Sequence, residues 1–179
     1  MSDTRAMHNL ALIGFMGTGK STVGRFLARQ LDYAFVDTDE LIETRAKKTI
    51  SAIFAEDGEP AFRVHERQVV EELGKLRRTI IATGGGLGAN PANLARLREH
   101  AFIVCLWASP EYIWQRVRHQ THRPLLQDTD PLARIKKLLA ERRDVYHEAD
   151  VLLNTERRSV REVAQIVIHQ FNLARAAGG

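Results

Sequence analysis

Short continuous apolar runs alternate with longer segments of mixed polarity along the 179 residues of the chain. Such runs are typical of strands in a buried parallel sheet. They predict five strands, over residues 10–14, 34–36, 79–83, 102–107 and 151–153. The run FIVCLW at 102–107 contains no polar residue, so we expect this fourth strand to be buried on both faces.

Helices are predicted between the strands. In residues 21–31 the side chains of Val23, Phe26, Leu27 and Leu31 recur at helical spacing. The other predicted helices cover residues 38–54 in two pieces, 60–76, 91–100, a segment from 110, 131–147, and a last helix that Ser159 and Glu162 open with a capping box. Strands that alternate with helices predict an α/β fold: a five-stranded parallel sheet with helices on both faces, in a single domain over residues 1–179.

Composition places the chain among ordinary soluble globular proteins, with 44% hydrophobic and 27% charged residues. The net charge of +4 is mildly basic, but no run of five like charges indicates nucleic-acid binding. Cys105 stands in the run FIVCLW, which predicts a buried, unreactive thiol. The sequence shows neither a signal peptide nor an apolar stretch long enough to cross a bilayer. We therefore expect a cytoplasmic monomer that binds neither nucleic acid nor a membrane.

Residues 14–21 read GFMGTGKS, the pattern G-x-x-x-x-G-K-S that surrounds the phosphates of a nucleotide. Glycines let consecutive backbone N–H groups turn toward an anion, and the helix that follows directs its positive end to the same place. The apolar strand before the pattern and the helix after it are the context that this motif requires. The pattern predicts that Lys20 contacts the β- and γ-phosphates and that the Ser21 hydroxyl binds Mg²⁺.

Two carboxylates follow the second predicted strand. Asp37 comes directly after residues 34–36, where a carboxylate commonly supports the Mg²⁺ of phosphate-loop enzymes. Asp39 lies two residues further along, and like charges so close repel each other. The second carboxylate becomes useful if it grips a hydroxyl group of a substrate. The alternative is that Asp39 caps the helix that begins there. Both interpretations stay open on spacing alone.

A glycine turn and a set of arginines indicate an anionic acceptor. Residues 84–86 are three glycines after the third strand, at the edge where parallel sheets bind ligands. Arg63 lies one helical turn before Glu66, and the other candidates are Arg67, Arg123, Arg142 and Arg143. Arginine binds a carboxylate bidentately, which explains its use in place of lysine. For any one of these arginines, a solvated helix face is the alternative.

Five sequence blocks occur in a fixed order. They are GFMGTGKS at 14–21, Asp37-Thr38-Asp39, GEPAFRVHE at 58–66, the glycines at 84–86, and RPLL at 123–126. A phosphate loop alone is found in many protein families, whereas this combination resembles the shikimate kinase family. The resemblance implies a three-layer P-loop kinase fold. It also implies Mg²⁺-assisted phosphoryl transfer from ATP to the 3-hydroxyl of shikimate, a step in the synthesis of aromatic amino acids.

On the nucleotide side, the resemblance implies that Lys20 and the loop amides hold the phosphates. Ser21 and Asp37 would hold Mg²⁺, Asp37 through water, and Arg123 would belong to a lid over residues 117–130. Arg116 and Arg158 would flank the adenine. The complete set of implied nucleotide-binding residues is Gly17, Thr18, Gly19, Lys20, Ser21, Thr22, Arg116, Arg123 and Arg158.

On the acceptor side, Asp39 would hydrogen-bond to the shikimate hydroxyls and orient or deprotonate the attacking one. Arg63 would pair with the carboxylate, and Gly85 would offer its backbone N–H. The implied acceptor-binding residues are Asp39, Arg63, Gly84, Gly85, Gly86 and Arg142, and the predicted helices over residues 38–66 belong to this side. The implied catalytic residues are Lys20, Asp39 and Arg123.

One block departs from the family pattern. The family commonly has an arginine four residues before a tyrosine, with proline and leucine between them, whereas this chain reads RRDVY over residues 142–146. Counting back from Tyr146 selects Arg142 as the second carboxylate-binding arginine, and the neighbouring Arg143 leaves the choice open. Neighbours in a helix point about 100° apart, so only one of them should face the site.

Two other functions remain as alternatives. The first is another P-loop small-molecule kinase, such as a gluconate-type or nucleoside monophosphate kinase, against which the D-T-D, G-E-x-x-F-R and G-G-G blocks count. The second is a non-enzymatic nucleotide switch or a nucleic-acid binder. A switch needs a partner surface and a binder needs a basic stripe, and neither stands out in the sequence.

Overall fold

The computed structural model describes residue 5, residues 7–120 and residues 129–177. Within these residues lie five strands: Asn9–Ile13 (β1), Ala34–Asp37 (β2), Thr79–Ala82 (β3), Ala101–Trp107 (β4) and Val151–Asn154 (β5). All pairs are parallel, in the order β2-β3-β1-β4-β5. The predicted five-stranded parallel sheet is therefore confirmed.

Helices form the connections between the strands. In the described ranges they are Lys20–Leu31 (α1), Thr38–Ala46 (α2), Ile50–Ala52 (α3), Gly58–Leu73 (α4), Pro91–Arg98 (α5), Pro110–Val117 (α6), Pro131–His147 (α7) and Val160–Ala177 (α8). The predicted capping box before α8 is formed, because the amide of Glu162 donates to Ser159 Oγ at 3.2 Å and the amide of Ser159 donates to Glu162 Oε2 at 2.8 Å. Across the described part of the chain, no helix combines the length and apolar character needed to span a membrane.

The predicted break within residues 38–54 has a local cause. Helix α2 ends at Ala46, because the next residue, Lys47, has a left-handed φ of 52° that does not continue an α-helix. Thr49 then caps α3 by accepting a hydrogen bond from the amide of Ala52 at 3.2 Å. A π-helical turn over Ile53–Asp57 leads into α4. The two predicted pieces are confirmed, and α2 and α4 contribute side chains to the same buried cluster.

Apolar side chains pack on both faces of the sheet. One buried cluster joins the sheet to α2, α4, α5 and α7, and it includes Ile13, Ile42, Phe62, Leu94, Ile103 and Tyr146. The other joins the sheet to α1 and α8, and it includes Leu12, Leu27, Val104, Val167 and Phe171. Strand β4 is buried from Ala101 to Leu106, as predicted, but the prediction is wrong for its last residue, because Trp107 is 40% exposed. Burial raises the pKa of the Cys105 thiol to about 12, so the thiol is unreactive at neutral pH.

Candidate active site

The phosphate loop lies at the carboxyl end of β1. Gly14, Gly17 and Gly19 have φ values of 133°, 74° and 94°, which side chains rarely permit. A Cβ atom on Gly17 would also lie 2.6 Å from Cγ1 of Val117, so the loop packs closely against α6. No side chain caps the N-terminus of α1. The loop thus has the glycine conformations that allow its amides, and those of the first turn of α1, to surround an anion.

The side chain of Lys20 folds back over this loop. It is only 8% exposed, and its Nζ atom donates to the carbonyl oxygen of Phe15 at 2.8 Å. The buried hydroxyl of Thr18 donates to the same oxygen at 2.8 Å. These bonds hold the ammonium group at the loop, where a phosphate oxygen would be a stronger acceptor than a carbonyl oxygen. Thr22, the last residue of the predicted nucleotide set in this stretch, is exposed on α1.

Ser21 and Asp37 are in direct contact. Ser21 Oγ donates to Asp37 Oδ2 at 2.6 Å, and the other carboxylate oxygen of Asp37 accepts from the amide of Asp39 at 3.1 Å. Asp37 is therefore the residue that caps α2, and Asp39 is not. The cap leaves Asp37 Oδ2 beside the phosphate loop. A hydroxyl and a carboxylate oxygen are the hard ligands that Mg²⁺ prefers, so this pair fits the predicted metal site.

Asp39 faces the glycine turn that follows β3. A Cβ atom on Gly84 would lie 2.1 Å from Asp39 Oδ1, so only glycine leaves room for the carboxylate. A Cβ atom on Gly86 would likewise lie 2.8 Å from Nη1 of Arg63. Arg142 Nη1 donates to the carbonyl oxygen of Gly85 at 2.9 Å. The three charged side chains predicted on the acceptor side therefore converge on residues 84–86.

Two glutamates hold the guanidinium group of Arg63. Its Nη1 donates to Glu66 Oε2 at 2.7 Å, and its Nη2 donates to Glu59 Oε1 at 2.7 Å. Glu66 is 1% exposed, and its Oε1 has no hydrogen-bond partner among the described residues. Burial raises the pKa of Glu66, although the bond from Arg63 opposes that shift. No role for Glu66 was predicted from the sequence, although its position three residues after Arg63, on the same turn of the predicted helix, is a signal that could have found it.

The structure distinguishes Arg142 from Arg143. Arg142 is half-buried on α7, and its guanidinium lies 5.3 Å from the ring centre of Phe15 as well as bonding to Gly85. Arg143 is exposed. Adjacent residues in a helix point in different directions, so α7 can bring only one of them to the glycine turn. Of the two arginines that the sequence left open, Arg142 is the one that contacts the glycine turn.

The two arginines predicted near the adenine also lie at the carboxyl edge of the sheet. Arg116 Nη1 donates to the carbonyl oxygen of Gly17 at 3.1 Å, and its guanidinium lies 4.5 Å from the ring centre of Tyr112. Arg158 Nη1 donates to the carbonyl oxygen of Asn154, at the end of β5, at 2.5 Å. Arg123 and most of the predicted lid lie outside the described residues.

Comparison with known proteins identifies the family. The family model for shikimate kinase matches residues 16–172. The chain is 42% identical to the shikimate kinase of Thermodesulfovibrio yellowstonii over 92% of its own length and 95% of the relative. The chain belongs to the shikimate kinase family. It also superimposes on a solved structure, the shikimate kinase of Acinetobacter baumannii in complex with shikimate, with a TM-score of 0.88 at 35% identity over 96% of each chain.

A third comparison bears on the alternative kinase. A gluconokinase from Sinorhizobium meliloti matches with a TM-score of 0.64 at 17% identity, over 97% of each chain, which shows a shared fold alone. These comparisons confirm three predictions: membership of the shikimate kinase family, a P-loop kinase fold, and an ATP-dependent kinase.

Proposed function

We propose that residues 84–86 and the phosphate loop form one reaction site, in which the terminal phosphoryl group of ATP passes to the 3-hydroxyl of shikimate. The observation that carries this proposal is the convergence of Asp39, Arg63 and Arg142 on the glycine turn. The turn is also next to the phosphate loop, because a Cβ atom on Gly85 would lie 3.5 Å from the amide nitrogen of Met16. Donor and acceptor would therefore meet with little movement of the protein.

On the nucleotide side, Lys20 and the loop residues Gly17, Thr18, Gly19, Ser21 and Thr22 bind the phosphates in this proposal. Ser21 and Asp37 hold Mg²⁺, which when bound neutralises phosphate charge. Arg116 and Arg158 flank the adenine. The direct bond from Ser21 to Asp37 supports the metal assignment, and the bond from Arg116 to Gly17 supports a position beside the bound nucleotide.

On the acceptor side, the carboxylate of shikimate pairs with Arg63 and Arg142. Both arginines are already held against the glycine turn, so less conformational entropy is lost when the acceptor binds. Asp39 accepts hydrogen bonds from the hydroxyl groups and orients or deprotonates the attacking one. Gly84, Gly85 and Gly86 allow the acceptor to approach the backbone, and the N–H of Gly85 donates to it.

Catalysis in this proposal depends on position and charge, because phosphoryl transfer requires little covalent chemistry from the protein. Lys20 stabilises the negative charge on the transferring group, and Arg123 joins it when the lid over residues 117–130 closes. Closure also excludes water, which would otherwise compete as the acceptor. Arg123→Ala should then lower kcat strongly while shikimate binding is largely kept. Lost shikimate affinity with intact turnover would contradict this role.

The test of the function is incorporation of phosphate from ATP into shikimate, with Mg²⁺ present and after chelation. We expect transfer to require both ATP and the metal. A panel of acceptors that includes gluconate and nucleoside monophosphates separates the proposed function from the alternative kinase. ATP hydrolysis that is independent of every acceptor would favour a nucleotide switch.

We further propose that the whole chain of 179 residues is one kinase domain that acts in the cytoplasm as a monomer and binds no nucleic acid. The use of ATP and the single free thiol of Cys105 support a cytoplasmic location. Gel filtration with light scattering tests the monomer, and filter binding of labelled DNA and RNA tests the last point.

A further inference from the structure

The hydrogen-bond ladder between β2 and β3 is continued by a side chain. The two strands pair from Ala34 with Thr79 to Asp37 with Ala82, where β2 ends and the chain turns into α2. The backbone N–H of Gly84, beyond the end of β3, donates instead to the hydroxyl oxygen of Thr38 at 2.8 Å. Thr38 is 0% exposed, so this bond is shielded from water.

Gly84 is thereby held by two consecutive residues of α2. Its N–H bonds to Thr38, and its Cα lies against the carboxylate of Asp39, which leaves no room for a Cβ atom. On the other side of Thr38, the carboxylate of Asp37 bonds to Ser21 of the phosphate loop at 2.6 Å. Thr38 thus connects the start of α2 to the glycine turn by a hydrogen bond. It stands between Asp37, on the nucleotide side, and Asp39, on the acceptor side.

We infer that Thr38 is a positioning residue for the phosphoryl acceptor: its hydroxyl fixes Asp39 relative to residues 84–86. Because Thr38 is fully buried, it acts through these neighbours and not on the ligand. The inference rests on the proposed function, namely on binding of the acceptor between Asp39 and the glycine turn. It assigns a role to the middle residue of the D-T-D block. The two aspartates on either side of Thr38 already have proposed ligands, namely Mg²⁺ and the acceptor.

The geometry also predicts which kinetic constants depend on Thr38. If the hydroxyl of Thr38 is removed, the buried N–H of Gly84 loses its hydrogen-bond acceptor. The glycine turn can then move away from α2 until this N–H finds another acceptor. Asp39 would then lose its correct position relative to the bound acceptor, which would affect both the binding and the turnover of shikimate. The bonds from Lys20 to Phe15 and from Ser21 to Asp37 do not involve Thr38, so nucleotide binding should change little.

The chain offers a matched control on the same strand pair. Thr79 is also buried, at 2% exposure, and its hydroxyl donates to the carbonyl oxygen of Arg77 at 3.1 Å. It stands at the start of β3, at the opposite edge of the sheet from Gly84. Thr38→Val and Thr79→Val remove the same atom from a buried site, and only the first removes it beside the proposed acceptor. Thr38→Ser keeps the hydroxyl.

The experiment is steady-state kinetics of the full chain with ATP and shikimate. For Thr38→Val we expect kcat/KM for shikimate to fall about tenfold to a hundredfold, since a displacement of about 1 Å can have an effect of this size. KM for ATP should stay within about threefold, and Thr38→Ser should restore kcat/KM to within about threefold of the wild type. Thr79→Val should leave all the constants close to those of the wild type. If Thr38→Val does not fold, Thr38→Ala takes its place, with shikimate-induced thermal stabilisation as a second measurement.

The inference is overturned if Thr38→Val keeps the wild-type kcat/KM for shikimate, if it matches Thr79→Val, or if Thr38→Ser fails to restore activity. An equal rise in KM for shikimate and KM for ATP would also overturn it, because a general structural defect predicts that result. Failure of the proposed function has a different signature. In that case the wild type does not phosphorylate shikimate, or Asp39→Asn leaves turnover intact, and the inference falls together with the proposal.

Discussion

The two edges of the same sheet use buried polar groups in opposite ways. At the amino edge, Asn9 is fully buried, and its Nδ2 donates to the carbonyl oxygen of Leu76 at 2.9 Å and contacts Nδ1 of His100 at 3.0 Å. Its Oδ1 accepts from the amide of Thr79 at 3.1 Å. At the carboxyl edge, charged side chains converge instead on three glycines.

The difference shows what separates a structural polar cluster from a reactive one. The amino edge joins an amide, an imidazole and backbone groups that hydrogen-bond to one another and connect β1, β3 and the start of β4, although Nε2 of His100 has no hydrogen-bond partner among the described residues. The carboxyl edge brings an ammonium group, guanidinium groups and carboxylates together beside backbone that carries no side chains. Buried polar residues alone therefore do not indicate a reactive site, whereas charged side chains held against glycine backbone do. Substitutions at the carboxyl edge should change activity, and substitutions at the amino edge should change stability.

The largest effect is expected for Lys20→Met, which keeps the length of the side chain and removes its charge. We expect kcat to fall about a hundredfold to a thousandfold, as when one group that stabilises transition-state charge is lost. Steady-state assays with saturating ATP and shikimate measure this. Lys75→Met is the control, because Lys75 is exposed beside Leu76 at the amino edge. A kcat of Lys20→Met near that of the control would contradict the comparison.

Arg142→Ala and Arg143→Ala form a matched pair on α7. Removal of Arg142 should raise KM for shikimate about tenfold to a hundredfold, the equivalent of one or two lost charge-assisted hydrogen bonds. Arg143→Ala should change this KM by less than about twofold, since exposed side chains away from a ligand contribute little. Titration of shikimate at fixed ATP measures both constants. Equal changes would mean that the bond to Gly85 does not mark the acceptor site.

Asp37→Asn tests the metal assignment with a smaller effect. The amide oxygen can still accept from the backbone N–H of Asp39, so α2 should keep its cap, and the amide NH2 group takes the place of Oδ2 and can donate to Ser21 Oγ. The lost negative charge should raise the Mg²⁺ concentration for half-maximal activity about tenfold, the lower end of the range for a residue that orients metal ligation. Asp32→Asn is the control, because Asp32 is fully exposed at the end of α1. An unchanged Mg²⁺ dependence would remove Asp37 from the metal site.

The smallest effect is expected at the amino edge, where His100→Gln should change stability and not turnover. Burial lowers the pKa of His100, and the positive charge of Arg77 lowers it further. The folded state therefore binds the proton less readily than the unfolded state. The stability that neutral His100 contributes is complete above its ordinary pKa of 6.5 and is lost as pH falls through its lower folded-state value.

A glutamine at position 100 does not titrate and can still accept from Asn9. The decrease in Tm between pH 7.5 and pH 5.0 should therefore be smaller than in the wild type. The difference should be about 2–4 °C for each kcal/mol that protonation of His100 takes from the free energy of unfolding of the wild type. Thermal unfolding at the two pH values measures this difference. A variant with the acid sensitivity of the wild type, or with reduced kcat at neutral pH, would show that the two edges are not separate in function.

Much of the fold followed from local patterns. Continuous apolar runs predicted the five strands; β1, β3 and β4 are buried along almost their whole length, whereas the edge strands β2 and β5 are partly exposed. The phosphate loop was predictable from eight consecutive residues, since its glycine conformations and the bonds from Thr18 and Lys20 to the carbonyl oxygen of Phe15 are all local. The break between α2 and α4 was visible as well, although its π-helical turn was not.

The acceptor side needed the tertiary structure. The sequence left open whether Asp39 caps α2 and which arginine of residues 142–143 faces the glycine turn. In the structure Asp37 is the cap, and Arg142 bonds to Gly85, 57 residues away in the chain. The sequence marked Glu66 only through its spacing from Arg63, and it carried no signal for the bond from Thr38 to Gly84. A sequence motif reflects contacts between residues that are close in the chain, whereas the contacts between side chains on opposite sides of the cleft depend on how the helices pack on the sheet.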